Sequence, residues 1–236
     1  EARAMRKMAD EKGVVTQMGI QIHSFREYRS AVILIQSGII GKVHTVRAWS
    51  PKSWGYDGPV PEGSDPVPET LDWEAWIGAA PMRPYAGPKE GSRRGRGPYH
   101  PFNWRGFVDF GSGALGDMAC HTTDGIYAIM EPGYAATAEP VTMTGPVKDQ
   151  FPAGMVIKST YRAKGNRPGF TTYWYEGNDK DGKPFMPENP EELKVDERKL
   201  PRTGNLIIVT KGKMLVEGDY WDKALLIPEA RNKEAG

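Results

Sequence analysis

The densest cluster of chemistry-bearing residues is the run Gly111-Ser112-Gly113-Ala114-Leu115-Gly116-Asp117-Met118-Ala119-Cys120-His121. Its glycines lead into what reads as a helix start, where backbone N–H groups lack partners and the local dipole is positive. Asp117 and His121 are four apart, so on a helix they project side by side. An imidazole takes or gives a proton near neutral pH. A carboxylate beside it raises its pKa or anchors a hydroxyl of a bound molecule. Together they suit reversible removal of a proton from a carbinol during hydride transfer. The same pair equally suits the solvated side of an amphipathic helix. A metal pair would need a third ligand with matching spacing, which the sequence does not offer, so no metal is expected.

Other candidates are weaker. His23 stands where a strand-like stretch meets a helix, a junction that often lines sites, but an exposed loop histidine fits as well. Asn103-Trp104-Arg105 sets an aromatic face beside a guanidinium, which suits packing of a sugar or a nicotinamide, or plain structural packing. Arg93, Arg94 and Arg96 alternate with Gly91, Gly95 and Gly97 and could grip an anion or simply be solvated. His44 reads as a strand residue, and His100, between Tyr99 and Pro101, as a loop contact. Gly111, Gly113 and Gly116 spell G-x-G-x-x-G. No βαβ unit with a later ribose-binding acid surrounds them, so they are not read as a dinucleotide fingerprint.

The elements that must position these residues follow from periodicity. Ala2, Met5, Met8 and Ala9 share a helical face, and Gly13 suits a left-handed cap. Residues 14–18 read as a short strand. Ser24 and Glu27 form a capping-box pair before a helix striped by Phe25, Tyr28, Ala31, Val32 and Ile35. Residues 42–50 read as a strand. From 51 to 113 regular structure is scarce apart from a short helix at 71–77. Trp73, Trp76 and Trp104 argue that this long stretch is ordered and packed on the domain. A single helix is expected over 114–130. Leu115, Met118, Ala119, Thr122, Ile126 and Ile129 line one side, and Asp117, His121, Asp124 and Ala128 the other. Strands are expected at 135–144, 155–162, 169–175, 205–209 and 213–217. Helices early and strands late give an α+β fold with an open, mainly antiparallel sheet and helices on one face.

Composition narrows the classes. The 236 residues carry 31 basic and 30 acidic side chains, for a formal net charge of +1. That balance gives no electrostatic case for a nucleic-acid binder. No apolar run reaches the length of a membrane span. The single cysteine, Cys120, excludes a disulfide framework within the chain. Glu1 opens directly into helical pattern without an initiator methionine or signal peptide, so the chain is read as a fragment of a longer protein.

At these residues the sequence resembles the Gfo/Idh/MocA oxidoreductases. Residues 1–21 look like the family's last Rossmann helix and strand. The stretch 26–49, with Ile35-Gln36-Ser37-Gly38-Ile39-Ile40-Gly41-Lys42-Val43, looks like its helix–glycine–strand signature. Leu71 to Gly78 and Trp104 to Asp124 resemble a subgroup common in sugar-degrading bacteria, and 204–228 resembles the late strands. The resemblance implies residues 1–22 as a remnant of the N-terminal dinucleotide-binding domain. It implies 23–236 as a C-terminal substrate-binding and oligomerisation domain of the glyceraldehyde-3-phosphate dehydrogenase-like type. It also implies a parent using NAD or NADP on a sugar, cyclitol or glycoside hydroxyl. His121 would then exchange the proton of the reacting hydroxyl, with Asp117 orienting the substrate. His23, Trp104, Arg105 and Asp124 would line the substrate side, and Trp104 and Arg105 would touch the cofactor. The family's Glu-Lys-Pro lysine and glycine-rich loop would lie upstream of Glu1, so this chain alone is expected to bind no cofactor and to be inactive. A homo-oligomer through the sheet is expected, with neither nucleic acid nor membrane as partner. The compartment would be the cytoplasm, or the periplasm where an export signal stands upstream. Two other functions remain open: a cofactor-free carbohydrate-binding or oligomerisation module, and a glycoside-cleaving enzyme using transient NAD-dependent oxidation.

Overall fold

A computed structural model describes residues 2–52, 61, 64–90, 96–99, 102–145, 148–195 and 197–228. Seven strands form one sheet in the order β2-β3-β4-β1-β5-β6-β7. They are β1 (Val43–Ser50), β2 (Thr137–Met143), β3 (Gly154–Tyr161), β4 (Phe170–Gly177), β5 (Gly204–Val209), β6 (Gly212–Glu217) and β7 (Lys223–Ile227). Every ladder is antiparallel except β1 with β4, where Thr45 faces Thr171 and Ser50 faces Glu176. The expected α+β architecture is therefore present.

β1 holds the centre because both its faces are covered. Val46 packs with Ile207, Met214 and Leu226 on one face, beneath helices α2 (Arg26–Gln36) and α5 (Asp124–Met130). Trp49 packs with Leu206, Leu215 and Ile227 on the other, beneath Leu193 of the short helix α6 (Glu191–Val195). Alternation of side chains along a strand makes this two-sided burial possible. The helix face also carries α4 (Gly113–Thr122), which packs on β1 and β4. Away from the sheet, helix α3 (Trp73–Ile77) nucleates an aromatic cluster with Tyr85, Tyr99, Phe107 and Phe110. The described part of the irregular stretch is thus anchored through Trp73 and Trp76, while Trp104 lies outside this cluster.

Three local expectations are corrected. Residues 14–18 form no strand. Val15 is 98% exposed and Met18 73%, and β-branched residues make a strand only where a partner strand accepts their backbone. The Ser24–Glu27 capping box does not form: Ser24 closes a 3-10 turn at Gln21–Ser24, and Phe25 is the cap of α2 without a side-chain bond. The single helix over 114–130 is two, broken at Thr123. Its N–H and Oγ1 both bond back to Ala119 O, at 2.9 and 2.6 Å, and such back-bonding hydroxyls bend helices. Periodicity marked neither α6 nor β7, and β7 falls only within the 204–228 stretch that resembles the family's late strands. At the other end, helix α1 (Ala2–Lys12) buries no residue.

Candidate active site

α4 is held from below and behind. Met118 is buried against Ala48 of β1 and Trp174 of β4. The break after Thr122 frees that residue's carbonyl, and two buried donors take it: Asn205 Nδ2 at 2.7 Å and Trp221 Nε1 at 2.8 Å. Trp221 can approach this closely because the next turn offers Gly125; a Cβ there would stand 2.3 Å from the indole. With Met118 and Thr122 pinned, Asp117 and His121 fall on the flank of the helix, both half-buried.

Three polar groupings run along that flank. At the first turn, Arg105 Nε donates to Asp117 Oδ1 at 2.9 Å. Arg105 lies over the rings of Phe102 and Trp104, at 4.6 and 5.1 Å from their centroids. The second oxygen, Asp117 Oδ2, is buried and has no hydrogen-bond partner among the described residues. One turn on, the His121 ring meets Tyr220 edge-on at 5.0 Å. Among the described residues its ring nitrogens make no hydrogen bond. At the start of α5, Asp124 Oδ2 takes both His23 Nε2 and Tyr28 OH, each at 2.7 Å. His23 stacks on Tyr28, and Tyr28 meets Trp221 edge-on. Burial first, and then the Asp124 carboxylate, push the Tyr28 phenol far above its ordinary range, so it stays a donor. Cys120 is also pushed up, by burial and by Asp117, which argues against a thiolate nucleophile.

The chemistry of the flank is set by what is left over. Asp124 is spent on His23 and Tyr28. Arg105 holds one oxygen of Asp117, and the other is buried. His121 keeps its ring nitrogens. An imidazole without a bonded partner among the described residues, one helical turn from an arginine-held carboxylate, is a group able to exchange the proton of a hydroxyl.

Sequence reasoning placed all six named residues on this strip: Asp117 with Arg105 and its neighbour Trp104, His23 with Asp124, and His121 by itself. It missed Tyr220, Trp221 and Phe102, and took Tyr28 for a packing residue only. The aromatic pair in Gly218-Asp219-Tyr220-Trp221 was a visible signal, a turn too rich in rings to be a mere connector. His44 is exposed on β1 and bonds Thr45 Oγ1. Arg96 lies over Phe102 at 5.3 Å. Arg93, Arg94 and His100 fall outside the described residues.

The glycines are used up by the chain's own packing. A Cβ at Gly111 would meet the Arg105 backbone at 2.6 Å. One at Gly113, whose φ is +61°, would meet Phe151 at 2.8 Å, and one at Gly116 would meet the Ser112 side chain at 2.3 Å. They let loops close on α4, and these three glycines leave no open cradle for a phosphate. A cavity of about 470 Å³ lies elsewhere, on the sheet face turned away from α4, lined by Arg47, Asn189, Pro190, Lys194, Ile208 and Lys213. Among the described residues no group of three or more His, Cys, Asp or Glu could hold a metal, and no helix is long and apolar enough to cross a membrane.

Residues 29–166, more than half of the chain, match a family model described as "Oxidoreductase family, C-terminal alpha/beta domain". Comparison with the curated proteins gives no match.

Proposed function

Because the chain belongs to the Gfo/Idh/MocA oxidoreductase family, contributing its C-terminal α/β domain, we propose that it is the substrate side of an NAD(P)-dependent enzyme acting on a sugar, cyclitol or glycoside hydroxyl. The observation that carries this reading is His121, half-buried on α4 one turn from the Arg105-held Asp117 and with no hydrogen bond at its ring nitrogens among the described residues. His121 exchanges the proton of the reacting hydroxyl. Asp117, held by Arg105, orients the substrate. Arg105 holds Asp117 in place, and the Trp104 indole offers an apolar face to the sugar ring. The His23–Asp124 pair closes the far end of the strip.

A nicotinamide cofactor supplies the hydride acceptor or donor when present. The residues here do not fit its diphosphate, since the only G-x-G-x-x-G glycines are packed against Arg105, Phe151 and Ser112. Cofactor binding is therefore assigned to a nucleotide-binding domain continuous with residues 1–22. Uncovered Met5, Met8, Val15 and Met18 support that assignment, as apolar side chains needing a cover. Self-association is proposed through the sheet face turned away from α4.

The test uses the two-domain protein. His121→Ala is expected to lower kcat with a cyclitol or hexose panel by about 10²–10⁴-fold, with unchanged circular dichroism. Undiminished turnover would remove His121 from the chemistry. Calorimetric titration of NAD and NADP into the present chain should show no tight binding, and stoichiometric tight binding would refute the assignment of the cofactor to a separate domain.

A further inference from the structure

Beneath the catalytic flank lies a carboxyl that the proposed chemistry does not use. Glu176 ends β4 on the helix face and is 2% exposed. Among the described residues its one side-chain hydrogen bond comes from Trp174 Nε1, at 2.6 Å to Oε2. Trp174 in turn forms, with Ala48, the surface on which Met118 is seated. Met118 is the residue after Asp117 and one turn before His121. The chain of contact runs from a buried acid to an indole, to a thioether, to the turn of α4 that presents the site.

We infer that Glu176 is a positioning residue: by holding the Trp174 indole it fixes the seat of Met118 and, with it, the Arg105–Asp117 pairing. This rests on the reading of Asp117 and His121 as the site. The geometry gives the tie its force. A buried indole N–H left without an acceptor costs the full desolvation of that group, so Trp174 keeps its ring orientation only while Glu176 accepts. A flat ring fixed at one end is a rigid floor, whereas Met118 is a flexible side chain that takes its shape from that floor.

The tie also takes up a proton. Burial pushes the Glu176 carboxyl from an ordinary 4.5 to about 7, and the indole bond pulls it only partly back. Among the described residues no cation pairs with it directly. Across the parallel ladder stands Ser50, whose buried hydroxyl has no partner among the described residues. On β3 its neighbour is buried Met155. From α4 Met118 is the residue in the cluster, while Asp117 turns to Arg105. Lys52, beyond Ser50, gives its ammonium to Asp219 and lies 4.0 Å from Met118 Sδ. The acid therefore changes charge without changing an ion-pair partner, and the Trp174 indole feels that change directly.

The experiment is ¹H–¹⁵N NMR on the present chain, reading the Trp174 Nε1–H and Arg105 Nε–H signals against pH. The indole signal should move in one step near neutrality. Glu176→Gln keeps an acceptor but cannot ionise, so it should abolish that step and leave the Arg105 signal protected. Trp174→Phe removes the N–H and should lose the Arg105 protection; Glu176→Asp, which withdraws the acceptor, should do the same should Trp174→Phe fold poorly. An Arg105 signal equally protected in both would overturn the proposal, as would an indole step that persists in Glu176→Gln. These readouts need no turnover, so failure here is distinct from failure of His121 as the proton carrier.

Discussion

The flank of α4 and the middle of the outer sheet face around Arg47 handle charge in opposite ways. On the helix face, the groups around α4 are tied to one another: Arg105 to Asp117, Lys52 to Asp219, His23 to Asp124. On the outer face, Lys213 pairs with Glu192 and Arg198 with Glu217, both half-buried, and Lys158 with Glu139 at the surface. Arg47, in mid-strand, makes no hydrogen bond or ion pair among the described residues and lies only loosely over Tyr173, at 6.0 Å. Half-buried pairs fix side chains in one geometry, because breaking one strands a charge away from water. Exposed pairs are screened and fix little. The α4 flank is therefore a place where a specific arrangement is held, whereas the strand centre at Arg47 is one that a change of charge disturbs little.

The sharpest way to break this contrast is to disturb the helix-face anchor itself. Gly125→Ala would drive a methyl into Trp221, which is fully buried and bonded to Thr122 O. Alanine favours a helix by about 1 kcal/mol over glycine. A 2.3 Å approach to a buried indole outweighs that, and a net loss above about 3 kcal/mol is expected. Urea unfolding measures it. A neutral or stabilising result would mean that Trp221 is free to move, and the α4 end would no longer count as pinned.

Next in size is the pH dependence conferred by Glu176. The native state holds a proton at this carboxyl that the unfolded chain gives up. Its contribution to stability is full below the ordinary 4.5 and falls as pH rises to about 7, above which it is lost. At about 1.4 kcal/mol per pH unit this window spans about 3 kcal/mol. Glu176→Gln should remove that slope, so its stability relative to wild type should rise between pH 5 and pH 8. Equal slopes in the two proteins would show that the carboxyl is open to water, and the helix face would lose its buried acid.

What the sequence made legible follows the same division. Alternation marked β1 and most of the other strands, since a sheet buried on a face writes a period of two into its residues. The Asp117/His121 spacing was readable because four residues make one turn. The break at Thr123 was not, because the apolar spacing runs through it and only the hydroxyl's bond to Ala119 O interrupts the helix. Val14 and Val15 misled because strand character needs a partner that local sequence does not reveal. Tyr220 reaches His121 from the loop between β6 and β7, a contact across 99 positions that depends on sheet order. β7 itself, five residues long, is too short to show a period.

The smallest expected effect lies on the outer face. Arg47→Met keeps an unbranched apolar stem against Leu206 and Ile208, which line the same cavity, and removes a guanidinium with no bonded partner among the described residues. Arg47 Nε is buried and unsatisfied, so its loss relieves a small desolvation cost while the packing of the stem persists. The change in unfolding free energy should stay within about 1 kcal/mol. Such near-neutrality, beside a costly Gly125→Ala, is what separates a platform from a positioned site. A loss of several kcal/mol from Arg47→Met would mean that the middle of the outer face also holds a specific arrangement, with this guanidinium at its centre.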